Sequence, residues 1–191
     1  KYKGVRPAPT ASGEVTIDIT GDAGQWENVL PEFLNYKGED RINGKDAYPD
    51  RRTGKVKTYN IEIANRVLSS KAARDSEFLY FYAKGDKDIK YEDGYLELLI
   101  NSDRNPATGF DGYDYILGRK LGKLEKITNN NGAIAYDEAG TYEYNVSGDS
   151  LILKLSRSLI SETGEIDMEL KWLSGEYIKE ICDMLHEKGV A

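Results

Sequence analysis

Thr141-Tyr-Glu-Tyr-Asn-Val146, Ser147-Gly-Asp-Ser150 and Leu151-Ile-Leu-Lys-Leu155 make up the stretch whose reading decides the fold. Two runs rich in aromatic and aliphatic residues flank a short Gly-Asp turn, which is the pattern of a β-hairpin. Outward from it, Ile166-Asp-Met-Glu-Leu-Lys-Trp172 alternates as a further strand, and Asn129-Asn-Asn-Gly132 is a turn that admits a primed geometry. Leu96, Leu98 and Ile100 fall on one face of an earlier strand, and Tyr113, Tyr115 and Leu117 on one face of the next. Phe78-Leu-Tyr-Phe-Tyr82 is apolar on both faces, which predicts a central strand covered on each side. Asp75-Ser-Glu precedes it as a turn, after Thr58-Tyr-Asn-Ile-Glu-Ile-Ala64 and Ser70-Lys-Ala-Ala-Arg74. Near the start, Val15-Thr-Ile17-Asp-Ile19 alternates and runs into the turn Gly21-Asp22-Ala-Gly24.

Only the end of the chain has helical spacing. Ser174 is a capping residue, Tyr177, Ile178, Ile181, Cys182 and Leu185 recur on one face, and Gly189 is a stop. The predicted architecture is all-β: an antiparallel β-sandwich, jelly-roll-like, with a C-terminal α-helix at about 174–188. Residues 1–14 read as a linker or extension and 15–191 as a single module, interrupted by a long polar stretch at about 37–57.

Composition narrows the function. The chain has 191 residues, 39% hydrophobic and 31% charged, which suits one globular domain with a substantial core. A formal charge of -7 and the lack of a basic stripe argue against nucleic acid, and Arg51-Arg52 reads as solvated surface. No run approaches the roughly 20 apolar residues that span a bilayer. No signal peptide is present, and a start at Lys1 without Met leaves processing, and so the compartment, open. Cys182 is the single cysteine and His186 the single histidine, which excludes an internal disulfide and a multi-cysteine zinc site. The two are spaced to share a helix face, but Cys182 sits on its apolar stripe, where free cysteine is ordinarily packing.

The most chemically suggestive segment is Asn101-Ser-Asp103-Arg-Asn105-Pro-Ala-Thr108-Gly109-Phe-Asp111-Gly112-Tyr-Asp114-Tyr115. Oxygen-bearing side chains occupy alternate positions, and clustered carboxylates and amides are commonly collected by a hard cation. Asn101, Asp103, Asn105 and Asp111 are the candidate ligands, and Ca2+ in a structural role is the candidate metal. The segment is not an EF-hand: Pro106 stands where that loop needs its glycine, and Gly112 where it needs a bidentate Glu. Asn, Asp, Pro and Gly are also ordinary turn residues, so ligation and turn chemistry compete as explanations.

These residues carry a resemblance. Ile17-Asp-Ile-Thr-Gly-Asp22-Ala-Gly-Gln-Trp26 resembles the "I-D-G-x-x-x-x-W" opening of family 9 carbohydrate-binding modules and the related DOMON-type sandwiches. In the family's order, Lys71-Ala-Ala-Arg-Asp75-Ser-Glu-Phe-Leu-Tyr80-Phe-Tyr82, Leu96-Glu-Leu-Leu-Ile-Asn-Ser-Asp103 and Leu151-Ile-Leu-Lys-Leu-Ser-Arg157-Ser-Leu-Ile160 resemble its "LYF", "EL-I-D-D" and "EI-IPR-L" segments. The acidic stretch with Gly112-Tyr-Asp-Tyr115 resembles the version attached to bacterial polysaccharide-degrading proteins, and the match spans about residues 15 to 172. The resemblance implies an antiparallel sandwich, frequently with structural calcium, that binds a polysaccharide or oligosaccharide beside a catalytic domain of the same polypeptide. An extracellular, cell-surface or periplasmic setting is implied as well. The family's facing tryptophan clamp is not carried over, because Trp26 reads as core and Trp172 lies at a strand end; the 37–57 stretch has no counterpart.

A saccharide site needs flat aromatic faces flanked by carboxylates, amides or Arg. Tyr91, Tyr95, Tyr113 and Tyr115 are the aromatics nearest the acidic loop in sequence and are the candidate ligand-binding residues, against the alternative that they pack the body of the sandwich. The expected function is a non-catalytic glycan-binding module. The alternatives are a carboxylate-dependent glycoside hydrolase, for which no acid–base pair stands out, and an interaction or structural domain.

Overall fold

The computed structural model describes residues 9–35, 64–161 and 168–174. These form ten strands: β1 (Glu32–Leu34), β2 (Val67–Arg74), β3 (Phe78–Gly85), β4 (Leu96–Asn101), β5 (Tyr115–Leu117), β6 (Lys123–Asn130), β7 (Ala133–Thr141), β8 (Glu143–Ser147), β9 (Ser150–Ser156) and β10 (Glu169–Ser174). All pairings are antiparallel, in two five-stranded sheets ordered β1-β2-β3-β9-β8 and β10-β4-β5-β6-β7.

Side-chain alternation stacks the sheets. Leu79, Phe81 and Ala83 of β3 and Leu151, Leu153 and Leu155 of β9 point to one shared core with Leu96, Leu98 and Ile100 of β4, Leu117 of β5 and Leu124 of β6. The intervening residues Tyr80, Tyr82 and Ile152 point the other way, into a second cluster with Ile17, Trp26 and Val29. The two-faced apolar reading of Phe78–Tyr82 thus holds, and β3 is the middle strand of its sheet. A third cluster, Leu99, Ile116 and Ile127, lies on the far face of the second sheet. Truncating a fully buried leucine such as Leu98 to alanine costs on the order of 2–5 kcal/mol.

The decisive hairpin forms as read, with Ser147 paired to Ser150 across Gly148-Asp149. Asn131 and Gly132 both have left-handed φ (55° and 92°), the primed turn that matches strand twist. The flanking strands β6 and β7 escaped the pattern reading, because the burial alternation of β7 is weak along a strand at the sheet edge. Two expectations are corrected. The Val15–Ile19 segment keeps its alternation, with Ile17 buried, but among the described residues its one backbone–backbone bond to the sheet joins the Val15 amide to the Arg74 carbonyl (2.8 Å), so it is an extended cover and not a strand. Tyr113 does not share a face with Tyr115 and Leu117; it closes a bridge with Phe110 and packs on the opposite side of the sheet. The polar stretch at 37–57, the run at 58–63, and the terminal helix at 175–188 with Cys182 and His186 lie outside the described residues. Ser174 itself ends β10, and its hydroxyl accepts the Asn65 amide at 3.2 Å.

Asp75 organises the β2–β3 connection. Its Oδ1 accepts the amides of Glu77 (2.9 Å) and Phe78 (2.8 Å), and its Oδ2 accepts the Tyr80 hydroxyl (2.6 Å). Burial pushes this carboxyl up, but those hydrogen bonds favour the charged form and bring its pKa down to about 2. Arg157, after β9, donates to the Asp75 carbonyl at 2.9 Å, so two residues of the motif string meet in space.

Candidate functional site

The acidic loop is built as three consecutive side-chain turns. Asn101 Oδ1 accepts the Asp103 amide (3.3 Å), Asp103 Oδ1 the Asn105 amide (2.8 Å), and Asn105 Oδ1 the Ala107 amide (3.0 Å). The alternate-position oxygens therefore cap the backbone two residues ahead, which is turn chemistry. Ligation remains open to them: a carboxylate or carbonyl oxygen has a second lone pair, and Asp103 Oδ2 accepts no hydrogen bond among the described residues. Asp111, in the left-handed region at φ 51°, is exposed. Gly109 is obligatory, since a Cβ there would stand 1.8 Å from the Tyr113 carbonyl oxygen. Among the described residues, no three His, Cys, Asp or Glu side chains gather as a metal-holding group.

The loop is tied to the sheet by a residue that the sequence reading left out of the site. Asp114 is buried, and its Oδ2 accepts both the amide (2.9 Å) and the hydroxyl (3.0 Å) of Ser102. Its signal was a lone carboxylate between Tyr113 and Tyr115 where an aromatic strand begins. Between the loop and β6 lies an open cleft of about 390 Å³. Ser102, Asp103, Thr108, Asp114 and Tyr115 form one wall, and Lys126, Thr128, Asn129 and Asn130 the other.

The four tyrosines are not gathered. Tyr115 lines the cleft and backs onto the central core. Tyr113 covers Leu99, Ile116 and Ile127 on the other face, with the Lys171 ammonium 6.0 Å from its ring. Tyr91 and Tyr95 precede β4, whereas the loop follows it, so the strand separates them by roughly 17 Å. Tyr91 shares a 2.7 Å hydroxyl hydrogen bond with Tyr142 and meets Tyr144 edge-on; burial raises its pKa far above the ordinary phenol value. Tyr95 lies under the Lys90 ammonium, 4.0 Å from its ring. The tryptophans are apart too: Trp26 stacks on Tyr82 outside the first sheet, and Trp172 packs toward the central core.

A larger cleft, about 650 Å³, opens between β2 and β10 beside Phe81, Leu170 and Trp172. Its walls are mainly apolar, and Lys71, partly buried, is committed to the Trp26 carbonyl at 2.8 Å.

The outer face of the second sheet holds a charged cluster that sequence reasoning did not single out. Glu125 of β6 is 1% exposed, and Arg119 grips both its oxygens at 2.8 Å, with the Lys120 ammonium at 3.5 Å. Arg119 also lies 4.2 Å from the centre of the Tyr136 ring, and the Glu125 hydrogen bonds raise its pKa. Glu97 of β4 is 4% exposed and accepts no hydrogen bond among the described residues. Burial pushes its pKa up to about 7, against the pull of Arg119 and with the push of Glu125. The signal for both is a carboxylate inside an apolar strand run, Leu-Glu-Leu and Leu-Glu-Lys-Ile. A carboxyl raised by burial beside a second carboxyl paired to a cation is the electrostatic half of glycosidase chemistry. The other half, space for a sugar ring, is lacking where both side chains are this deeply covered.

With this geometry in place, no family model, no curated protein and no solved structure matches the chain. The fold defines the class: a mostly β protein of two facing antiparallel sheets.

Proposed function

We propose that the chain is a non-catalytic carbohydrate-binding module, jelly-roll-like and of the family 9 or DOMON type, within a larger extracellular glycan-processing protein. The observation that carries this reading is the 390 Å³ cleft between the acidic loop and β6. Its size falls in the range of small-ligand sites, and its walls offer hydroxyls, amides and carboxylates beside one tyrosine. Such groups suit a neutral polyol, whose hydroxyls both donate and accept. Calcium, on this reading, braces the loop through Asn101, Asp103, Asn105 and Asp111, with the Asp103 Oδ2 as its anchor. It has no part in chemistry there.

Glycan-array binding with and without chelator tests the proposal. Neutral oligosaccharides are expected to bind, and Lys126→Ala combined with Asn129→Ala should weaken them about tenfold, roughly 1.4 kcal/mol. Empty arrays, or binding indifferent to that double variant, would overturn it. A second reading, the interaction domain, has its own observation: Phe33 and Leu34 on edge strand β1 are 60% and 77% exposed. Empty arrays would shift weight to that surface.

A further inference from the structure

We propose that the Glu97 carboxyl is a proton-operated switch on the Arg119–Glu125 ion pair: neutral, it leaves the pair intact; ionised, it competes with Glu125 for the guanidinium. The inference is independent of the glycan reading. It rests first on placement. Glu97 and Glu125 lie on the same outer face, on β4 and β6, which flank β5. Past the Leu98–Leu117 pair comes Gly118, just beyond β5, where a Cβ would stand 3.2 Å from the Glu97 Cα, so no side chain at that position stands over Glu97. Glu125 is already satisfied by two guanidinium bonds, whereas buried Glu97 has no donor of its own among the described residues.

Among the described residues, charged and titratable groups surround this cluster from several elements: Tyr95, under the Lys90 ammonium, precedes Glu97 by two residues, and Lys171 lies on β10 over Tyr113. Arg119 and Lys120 come from the β5–β6 connection, Glu125 from β6, and Tyr136 from β7. Tyr91 lies within electrostatic reach of Glu97 from the segment before β4. Glu138 of β7 pairs with Lys123 at 2.7 Å, and β10 presents Leu173 opposite Glu97. Arg119 is the cation that acts on Glu97 among the described residues. When Glu97 loses its proton, the second anion on this face draws the guanidinium away from Glu125 and from the Tyr136 ring. Lys120, 60% exposed, is free to move toward Glu125 in its place.

The sign of the linked stability follows. A carboxyl that binds its proton more tightly when folded stabilises fully below its unfolded value near 4.5. That contribution declines as pH rises through about 7. Glutamine keeps the neutral shape and cannot ionise, so Glu97→Gln should remove the decline.

Carboxyl carbon NMR titration of the whole chain, with Arg Nε resonances followed in parallel, tests the switch. One Glu carboxyl is expected to titrate near 7 and to be missing in Glu97→Gln, and the Arg119 Nε resonance should move with the same midpoint in the wild type alone. Glu125→Gln should lower the Glu97 midpoint, because it removes the neighbouring anion. A Glu97 midpoint in the ordinary carboxylate range, or an Arg119 resonance that ignores it, would overturn the proposal. The wild-type titration decides this even where a variant fails to fold.

Discussion

Glu97 within β4 and the Asn101–Tyr115 loop that leaves the same strand handle acidic side chains in opposite ways. In the loop, Asp103 faces water and its oxygen caps the chain two residues ahead. On the strand, Glu97 is buried without a hydrogen bond among the described residues, and its neighbour Glu125 is gripped at both oxygens by Arg119. The difference is one of solvation. An exposed carboxylate keeps most of its hydration and contributes little, whereas a buried one must be paired or neutralised. Asp114 stands between the two cases, buried but satisfied by Ser102.

The largest test of this contrast is Arg119→Ala. It leaves Glu125 buried with Lys120 as its remaining cation, and should lower unfolding free energy by about 2–3 kcal/mol in denaturant titration. A loss below about 0.5 kcal/mol, as for a surface pair, would break the comparison. Asp114→Ala comes next: it strips the Ser102 amide and hydroxyl of their acceptor, for an expected loss of about 1–3 kcal/mol. It should also loosen the loop, read as faster hydrogen exchange from Ser102 to Asp111. The smallest effect belongs to Asp103→Ala in the presence of chelator, about 1 kcal/mol or less for one exposed side-chain turn. If calcium braces the loop, chelation lowers the melting temperature of the wild type and leaves Asp103→Ala unchanged. Identical wild-type melting curves after verified metal removal would remove calcium from the proposed function.

The sandwich strands were legible where one period dominated. Phe78–Tyr82, Leu96–Ile100 and the Thr141–Leu155 hairpin carry their faces in their spacing, because a strand side buried against a core must be apolar at every second residue. Tyr113 shows where that logic stops: the Phe110–Tyr113 bridge turns its ring to the other face before β5 begins. Tyr91 and Tyr95, near the loop in sequence, stand at the other end of β4 from it, since an extended strand carries its two ends far apart. In the site, the oxygen-rich loop was visible, but its internal hydrogen bonds and the cleft against β6 were not.

By itself the sequence determined the antiparallel, two-sheet character of the chain, the central place of β3, the buried Trp26 and the position of the acidic turn. Each of these follows from local pattern: period, turn residues, and the cost of exposing apolar faces. Only the tertiary structure decided that Glu97, Arg119 and Glu125 share one covered face, that Asp114 anchors the loop, and that Tyr115 alone of the four tyrosines lines the cleft. Those outcomes depend on which strands lie side by side and on how much water each side chain keeps, and neither is written in the spacing of residues along the chain.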